Sequence, residues 1–349
     1  MEYSREVAGR MQLDEYVTVI ARVYEANDRH RSLWDVWCHT LHHAAAIAER
    51  ARKKAPADDL FQEIADFALW LFTAVHRLES PIGEIQNRDE TPLETVIRIR
   101  SGCSDLLWRR YPRFCPLCYE RRTRGHRKLE KSQSFHRPCD CLLNDYSPQE
   151  KPVRRAALVA LRAFSEETRN SRPKGIDRWQ EMFETIFRAN LRHLSLVEAT
   201  SHLLEELGEA SDAMIRMSSY RNEDFVKGEP DYRQLRLEAQ VADVFSWLFT
   251  VVTKIDSIGK AGLDHERYGS NVEAVAPRPM RLSEIIWRRY GCNDLHSFWC
   301  PFCKRAACTC PLLFVPATRP VEDMRALFKS PPSSPRARRT SLQKGRMRR

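Results

Sequence analysis

A short acidic cluster on one predicted helix carries the clearest chemical pattern in this sequence. The segment from Glu198 to Asp212 contains Glu205, Glu206 and Glu209, and it has no Lys or Arg to balance them. Positions 205 and 209 lie one helical turn apart, and 206 lies beside that face. Carboxylates crowded in this way repel each other unless a cation binds, and Mg²⁺ prefers such oxygen ligands. A solvated acidic face is the alternative for this motif taken alone.

The next predicted helix favours the metal site over the solvated face. Asp243 is followed by Val244, Trp247 and Leu248, whose spacing places them towards a core. Asp243 therefore lies near a buried edge, where an unpaired charge would be costly. We expect Asp243 to have a partner there, either a cation or a metal ion.

These landmarks occur twice in the chain. The segment Ala26–Leu33 returns 163 positions later as Ala189–Leu196, with six of eight residues identical. Trp-Arg-Arg-Tyr occurs at 108–111 and again at 287–290. A fixed order of landmarks at drifting offsets indicates duplication followed by loop insertion.

The two copies differ at the acidic positions. In the first repeat, His42, His43 and Ala46 occupy the places of the three glutamates, while Glu63 and Asp66 keep a pair of acids three residues apart. In the second repeat the three glutamates and the second acid remain, but an amide takes the place of the first acid of that pair. The histidines are interpreted as a degenerate, hydrogen-bonded cluster rather than as metal ligands.

An E-E-x-x-E helix followed by a helix with E-x-x-D resembles the MazG-like, all-α nucleoside triphosphate pyrophosphohydrolases, which are relatives of the dimeric dUTPases. The resemblance covers the two bundle cores, a little over half the chain. It implies a Mg²⁺-dependent enzyme that cleaves a nucleoside triphosphate to a nucleoside monophosphate and pyrophosphate. The residues that match the Mg²⁺-binding motif are Glu205, Glu206, Glu209 and Asp243. Gln240 departs from the motif and is expected to serve as an amide-oxygen ligand or to hold water.

Three arrangements remain open for function. The first is a single active site in the second repeat. The second is a composite site to which Glu63 and Asp66 contribute across the interface between repeats. The third is a non-catalytic protein. It either binds nucleotides or acts as an adaptor that docks protein partners or nucleic acid through cysteine-rich zinc modules and a basic C-terminal tail.

Eight of the eleven cysteines form two quartets, one per repeat. Four thiolates at these spacings can surround one Zn²⁺ tetrahedrally and leave no position open for water, which predicts two structural zinc sites. A redox role for each Cys-x-x-Cys pair is the weaker alternative, because a second pair lies close by. The predicted ligands are Cys115, Cys118, Cys139 and Cys141, and then Cys300, Cys303, Cys308 and Cys310.

Apolar residues at spacings of three and four predict an all-α fold of two tandem four-helix bundles, each followed by a small zinc module with four cysteine ligands. The predicted domains are residues 1–145, a linker helix and loop at 146–175, residues 176–318, and a disordered basic tail at 319–349. The predicted helices are Leu13–Tyr24, Trp34–Lys54, Leu60–Leu78 and Leu93–Tyr111, a linking helix Val153–Phe164, and then Trp179–Arg188, Leu196–Met217, Tyr232–Ile255 and Leu282–Tyr290.

The net charge of +10 comes largely from the tail, since Lys329–Arg349 holds eight Lys or Arg residues and no acid. Such a segment is too polar to form a core, and it is either a contact for nucleic acid or another polyanion or a solvated arm. No apolar run is long enough to cross a membrane, and paired cysteines in a chain without a signal-peptide pattern favour a cytoplasmic location. Duplication leaves open whether the protein also forms a homodimer.

Overall fold

The computed structural model describes residues 4–28, 31–79, 97, 99, 101–119, 139, 141, 155–219, 232–260, 280–292 and 297–310. This part of the chain is almost entirely helical, which confirms the predicted all-α class. The helices are α1 (Arg5–Arg10), α2 (Leu13–Asp28), α3 (Leu33–Lys53), α4 (Ala57–Glu79), α5 (Cys103–Arg110), α6 (Arg155–Glu167), α7 (Ile176–His193), α8 (Leu196–Ser219), α9 (Tyr232–Lys260) and α10 (Leu282–Tyr290).

Two helical predictions need correction. The short helix α1 was not predicted, and α5 is shorter than the predicted range Leu93–Tyr111. Gly102 is the N-cap of α5, and Ile97 and Ile99 lie in backbone without regular structure. Glycine is a poor residue for a helix interior and an acceptable one at its start, so the helix begins directly after Gly102 although the apolar spacing starts earlier in the sequence.

The linker region also differs from its predicted bounds. Helix α6 extends to Glu167, and a 3₁₀ turn, Arg169–Ser171, lies within the predicted loop. Gly175 then adopts a φ of 106°, and the carbonyl oxygens of Gly9 and Arg10 lie 2.9 Å from where a Cβ would be. Only glycine combines that conformation with so close a backbone approach.

The same capping arrangement begins the second helix of each repeat. At α3, the Ser32 hydroxyl accepts from the backbone N–H of Asp35, and the Asp35 carboxylate accepts from the N–H of Ser32. At α8, Ser195 and Glu198 make the same two reciprocal bonds. These capping boxes satisfy N–H groups that have no partner within the helix. They also set where α8 starts, and therefore which of its residues face α9.

The two repeats share one core. Helix α8 packs along α9, α3 packs along α4, and α3 also packs against α8. The indole N–H of Trp37 donates to the Ser211 hydroxyl across this last contact at 2.7 Å, and the rings of Phe72 and Phe245 lie 5.8 Å apart. Residues up to Cys310 belong to a single compact unit. The predicted domain bounds, residues 1–145, 146–175 and 176–318, were drawn from the repeat in the sequence, and they stay predictions.

Among the residues that the structure describes, β-strands occur only in one small antiparallel pair beside the second cysteine quartet. Gly291–Cys292 (β1) pairs antiparallel with Ser297–Phe298 (β2), with Gly291 opposite Phe298. The basic tail predicted at 319–349 lies outside the described residues. No helix in the described ranges is both long enough and apolar enough to pass through a membrane.

Candidate active site and cysteine quartets

The four predicted acidic ligands line one cavity of about 120 Å³ between α8 and α9. Helix α8 contributes Glu205, Glu206 and Glu209, and α9 contributes Asp243. Within the described part of the chain, no three of these carboxylates have oxygens within 4.8 Å of one another. The acids thus surround a common space without converging on one point.

The cavity holds more negative charge than its surroundings neutralise. Burial raises the pKa of Glu206 to about 9, with further contributions from the carboxylates of Asp243 and Glu209. Burial also raises the pKa of Glu209, together with Asp243 and Glu205. At neutral pH the Glu206 carboxyl therefore holds a proton, because a further negative charge there is unfavourable. A divalent cation in the cavity would remove that penalty.

Gln240 leaves one polar atom without a partner at this site. Its side-chain N–H donates to Glu209 Oε2 at 2.5 Å. Its oxygen, Oε1, is buried and accepts no hydrogen bond from the described residues. A buried oxygen without a partner is costly unless water or a cation occupies the adjacent space. Gln240 is bonded to Glu209 but is not among the described residues that line the cavity, so its role as a ligand or a water holder stays a prediction.

Asp243 has the partner that its burial requires, and that partner comes from the first repeat. Arg110 donates to both carboxylate oxygens, from Nε at 2.8 Å and from Nη2 at 2.7 Å, and the Tyr111 hydroxyl donates to Oδ1 at 2.6 Å. Burial by itself would lower the pKa of Arg110, but the Asp243 carboxylate outweighs burial and raises it. Sequence reasoning did not identify Arg110 or Tyr111. The signal was available, since both belong to the repeated Trp-Arg-Arg-Tyr segment.

The aligned acids of the first repeat are paired with cations. Glu63 contacts His43 Nδ1 at 2.8 Å and Arg50 Nη1 at 2.7 Å. Asp66 accepts from Arg289 at 3.1 Å, and the Tyr290 hydroxyl also donates to it. Neither Glu63 nor Asp66 is among the described residues that line the cavity of the second repeat.

The histidines of the first repeat have ordinary structural contacts. The His39 ring stacks on Trp70 with centroids 4.2 Å apart, as His202 stacks on Trp247 at 4.5 Å in the second repeat. Burial, followed by the positive charge of Arg31, lowers the pKa of His39. The His43 ring is also hydrogen-bonded to Glu63, and the interpretation of the histidines as a hydrogen-bonded cluster stays a prediction.

Each cysteine quartet brings four thiols together as a metal site requires. In each, the four sulfurs lie within 4.8 Å of one another, and none of the eleven cysteines is in a disulfide. Pairs of sulfurs lie 3.2 Å apart for Cys118 and Cys141 and 3.8 Å apart for Cys300 and Cys310. Tetrahedral Zn²⁺ with bonds of about 2.3 Å places its sulfurs about 3.8 Å apart, so these spacings suit it and exceed a disulfide bond. Without a bound ion the thiols of the second quartet differ: a backbone N–H of Thr309 lowers the pKa of Cys303 to about 6, whereas burial raises the pKa of Cys308.

The quartets are exchanged between the repeats. The N–H of Cys139, in the first repeat, donates to Ile186 O of α7 at 2.6 Å, and Asn190 donates to the Cys139 sulfur at 3.4 Å. The N–H of Cys308, in the second repeat, donates to Val23 O of α2 at 2.6 Å. Asn27 donates to the Cys308 sulfur at 3.2 Å. Each quartet thus packs on a helix of the other repeat.

This exchange brings the first quartet to the acidic cavity of the second repeat. The cavity lining combines the acids with five residues of the first quartet and its loop, and with Arg110 and Tyr111. Residues from both repeats therefore form the candidate site, although not through Glu63 and Asp66. The five residues are Cys115, Pro116, Leu117, Cys139 and Cys141.

Comparisons with protein-family models, with curated proteins and with solved structures found no match to this chain.

Proposed function

We propose that this protein is a Mg²⁺-dependent nucleoside triphosphate pyrophosphohydrolase of the MazG-like type, with one active site in its second repeat. In this proposal the chain is a pair of four-helix repeats, each with a zinc-binding quartet that packs on the other repeat. The observation that carries the proposal is the cavity between α8 and α9, where four acids from two helices line one space. The motif at Glu205, Glu206, Glu209 and Asp243 supplies the reaction class.

The donor set of the cavity suits a hard divalent cation. Glu205, Glu206 and Glu209 supply carboxylate oxygens. Gln240, which is not among the described residues that line the cavity, donates to Glu209 from one side of this set. Bound Mg²⁺ would neutralise the triphosphate and lower the pKa of the attacking water. Water is consumed, the bond between the α- and β-phosphates breaks, and the products are a nucleoside monophosphate and pyrophosphate.

The remaining residues orient these groups. Arg110 and Tyr111 hold the Asp243 carboxylate in one orientation through three hydrogen bonds. Gln240 holds Glu209 by its N–H and leaves its oxygen free for a water molecule. The half-buried Glu206 gives up its proton when a cation enters, because the added positive charge outweighs the repulsion from Asp243 and Glu209.

The first test is a scan of ribo- and deoxynucleoside triphosphates for pyrophosphate release, with and without Mg²⁺. We expect Mg²⁺-dependent release from at least one nucleotide, and a loss of at least about 100-fold in the Glu206→Gln variant. His43→Gln changes the aligned residue of the first repeat and should retain activity within about twofold. Full activity in Glu206→Gln would show that α8 is not catalytic. A wild-type protein that cleaves no nucleotide but binds one without Mg²⁺ would favour the non-catalytic alternative.

A further inference from the structure

We propose that the first cysteine quartet forms the wall of the cavity that contacts the nucleoside part of the substrate, with Leu117 as a specificity-determining residue. This inference rests on the proposed function and extends it to substrate selection. In this inference the first cysteine quartet, which belongs to the first repeat, contacts the substrate in the acidic cavity of the second repeat.

The cavity changes character along its length. Helices α8 and α9 pack along each other in opposite directions, because His202 stacks on Trp247, whereas Glu209, further along α8, is bonded to Gln240, which is earlier in α9. His202 and Glu209 are seven residues apart, which corresponds to about 10 Å along a helix. The acids Glu209 and Asp243 therefore lie towards one end of the cavity. The other end is lined by Trp247, Thr250 and Leu194.

The first quartet is anchored near the apolar end. Cys139 is bonded to Ile186 and Asn190, in the second half of α7, and Phe187 and Leu194 of the same region line the cavity. Leu117 and Pro116 of the quartet join this lining. Because phosphates require the cation end, the uncharged ring of a nucleotide is the part that suits this apolar end.

Leu117 is available for such a contact. It is half-buried, and its neighbours Pro116 and Cys118 are buried, so its backbone is held while its side chain stays partly open to the cavity. A ligand ring that covers the rest of Leu117 would gain apolar contact without reorganising the quartet.

The second quartet provides a matched control. Its segment Cys300-Pro-Phe-Cys303 aligns with Cys115-Pro-Leu-Cys118, so Phe302 corresponds to Leu117. Phe302 is 78% exposed, and it is not among the described residues that line the acidic cavity. Substitution of Leu117 or Phe302 by alanine leaves the four cysteines of each quartet in place.

The experiment compares wild type, Leu117→Ala and Phe302→Ala on a panel of nucleoside triphosphates, with inorganic triphosphate as a competitive probe that lacks a nucleoside. We expect Leu117→Ala to raise KM about tenfold for the preferred nucleotide and to reduce its preference over other bases, with kcat within about threefold. The inhibition constant of inorganic triphosphate should not change. Phe302→Ala should match wild type in every measurement.

Two results would overturn the inference. One is that Leu117→Ala weakens inorganic triphosphate as much as nucleotides, since the effect would then lie at the phosphate end. The other is that base preference is unchanged in Leu117→Ala. If wild type cleaves no nucleotide, the proposed function fails. Calorimetry with the same nucleotides and inorganic triphosphate on the three proteins then tests separately whether Leu117 contacts the nucleoside.

Discussion

The two repeats have different residues at aligned positions, and the charge balance differs accordingly. In the first repeat, Glu63 contacts the His43 ring and the Arg50 guanidinium. In the second, the positions of Glu63 and His43 are taken by Gln240 and Glu206, and Glu206 keeps its proton because it is buried beside other acids. The first repeat thus balances its acids with basic side chains, whereas the acids of the second repeat share one cavity, where burial and mutual repulsion raise the pKa of Glu206.

The closing segments, by contrast, are alike in both repeats. Arg110 and Tyr111 hold Asp243, and Arg289 and Tyr290 hold Asp66, each across the boundary between repeats. The same contact therefore joins the two repeats in both directions. In the second repeat it also fixes the orientation of Asp243 beside the three glutamates that only this repeat has.

The largest expected effects come from the exchanged quartets. Cys139→Ser and Cys308→Ser should each lose about one zinc ion per chain and several kcal/mol of stability, because metal binding contributes directly to folding of small metal sites. Only Cys139→Ser should also weaken nucleotide binding, since its quartet lines the acidic cavity. Metal analysis, thermal unfolding and calorimetry measure the three quantities. Equal loss of nucleotide binding in both variants would indicate a general unfolding instead.

A second comparison concerns the paired aspartates. Asp243→Asn should lower the free energy of unfolding by about 3–5 kcal/mol, because it leaves the Arg110 charge buried without its partner. Asp66→Asn should cost less, since the Arg289 and Asp66 side chains are 24% and 13% exposed, against 11% and 6% for Arg110 and Asp243. Urea unfolding of both variants and wild type gives the comparison. The ranking is wrong if Asp66→Asn is the more damaging change.

Glu63→Gln distinguishes a site confined to the second repeat from a composite one. We expect pyrophosphate release within about twofold of wild type, because Glu63 is engaged by His43 and Arg50. Stability should fall by about 1 kcal/mol through the loss of these charge-assisted bonds. A complete loss of activity in a variant that stays folded would establish that both repeats supply catalytic acids.

A pH-dependent contribution to stability comes from a carboxyl of the first repeat. Burial, and then the charge of Asp14, raises the pKa of Glu79 to about 8. Between about pH 4.5, where an unfolded Glu titrates, and pH 8 the folded chain holds a proton that the unfolded chain releases, so stability falls as pH rises through this window. Glu79→Gln should flatten that part of the curve of unfolding free energy against pH. Superimposable slopes for the variant and wild type would contradict the assignment.

Much of the fold could be predicted from the sequence because it depends on local patterns. The 3.6-residue apolar period located α2, α3, α4, α8 and α9, and the repeated Ser-x-x-acid pattern begins α3 and α8. Where local signals conflict, the prediction was less accurate. Apolar spacing before Gly102 suggested a longer α5, but the glycine sets its start.

The candidate site was predictable in part. The spacing of Glu205, Glu206 and Glu209 on one helix places them together, and a buried-edge aspartate on the next helix predicts a partner. Repetition of the Trp-Arg-Arg-Tyr segment indicated that Arg110 is needed, but its pairing with Asp243 did not follow from the sequence, because 133 residues separate the two. Helical periodicity has no information on contacts at that range.

The sequence by itself determined the helical class, the duplication, the two thiol quartets and the one acidic helix, since each depends on interactions within a few turns or on the identity of ligand atoms. Only the tertiary structure decided that the quartets and the Arg-Tyr pairs cross between repeats, and hence that Leu117 lines the same cavity as Glu206. The physical reason is that a shared apolar core sets which helices are neighbours. A long loop allows a segment to dock either on its own repeat or on the other one. Packing in the core then decides which of the two it contacts.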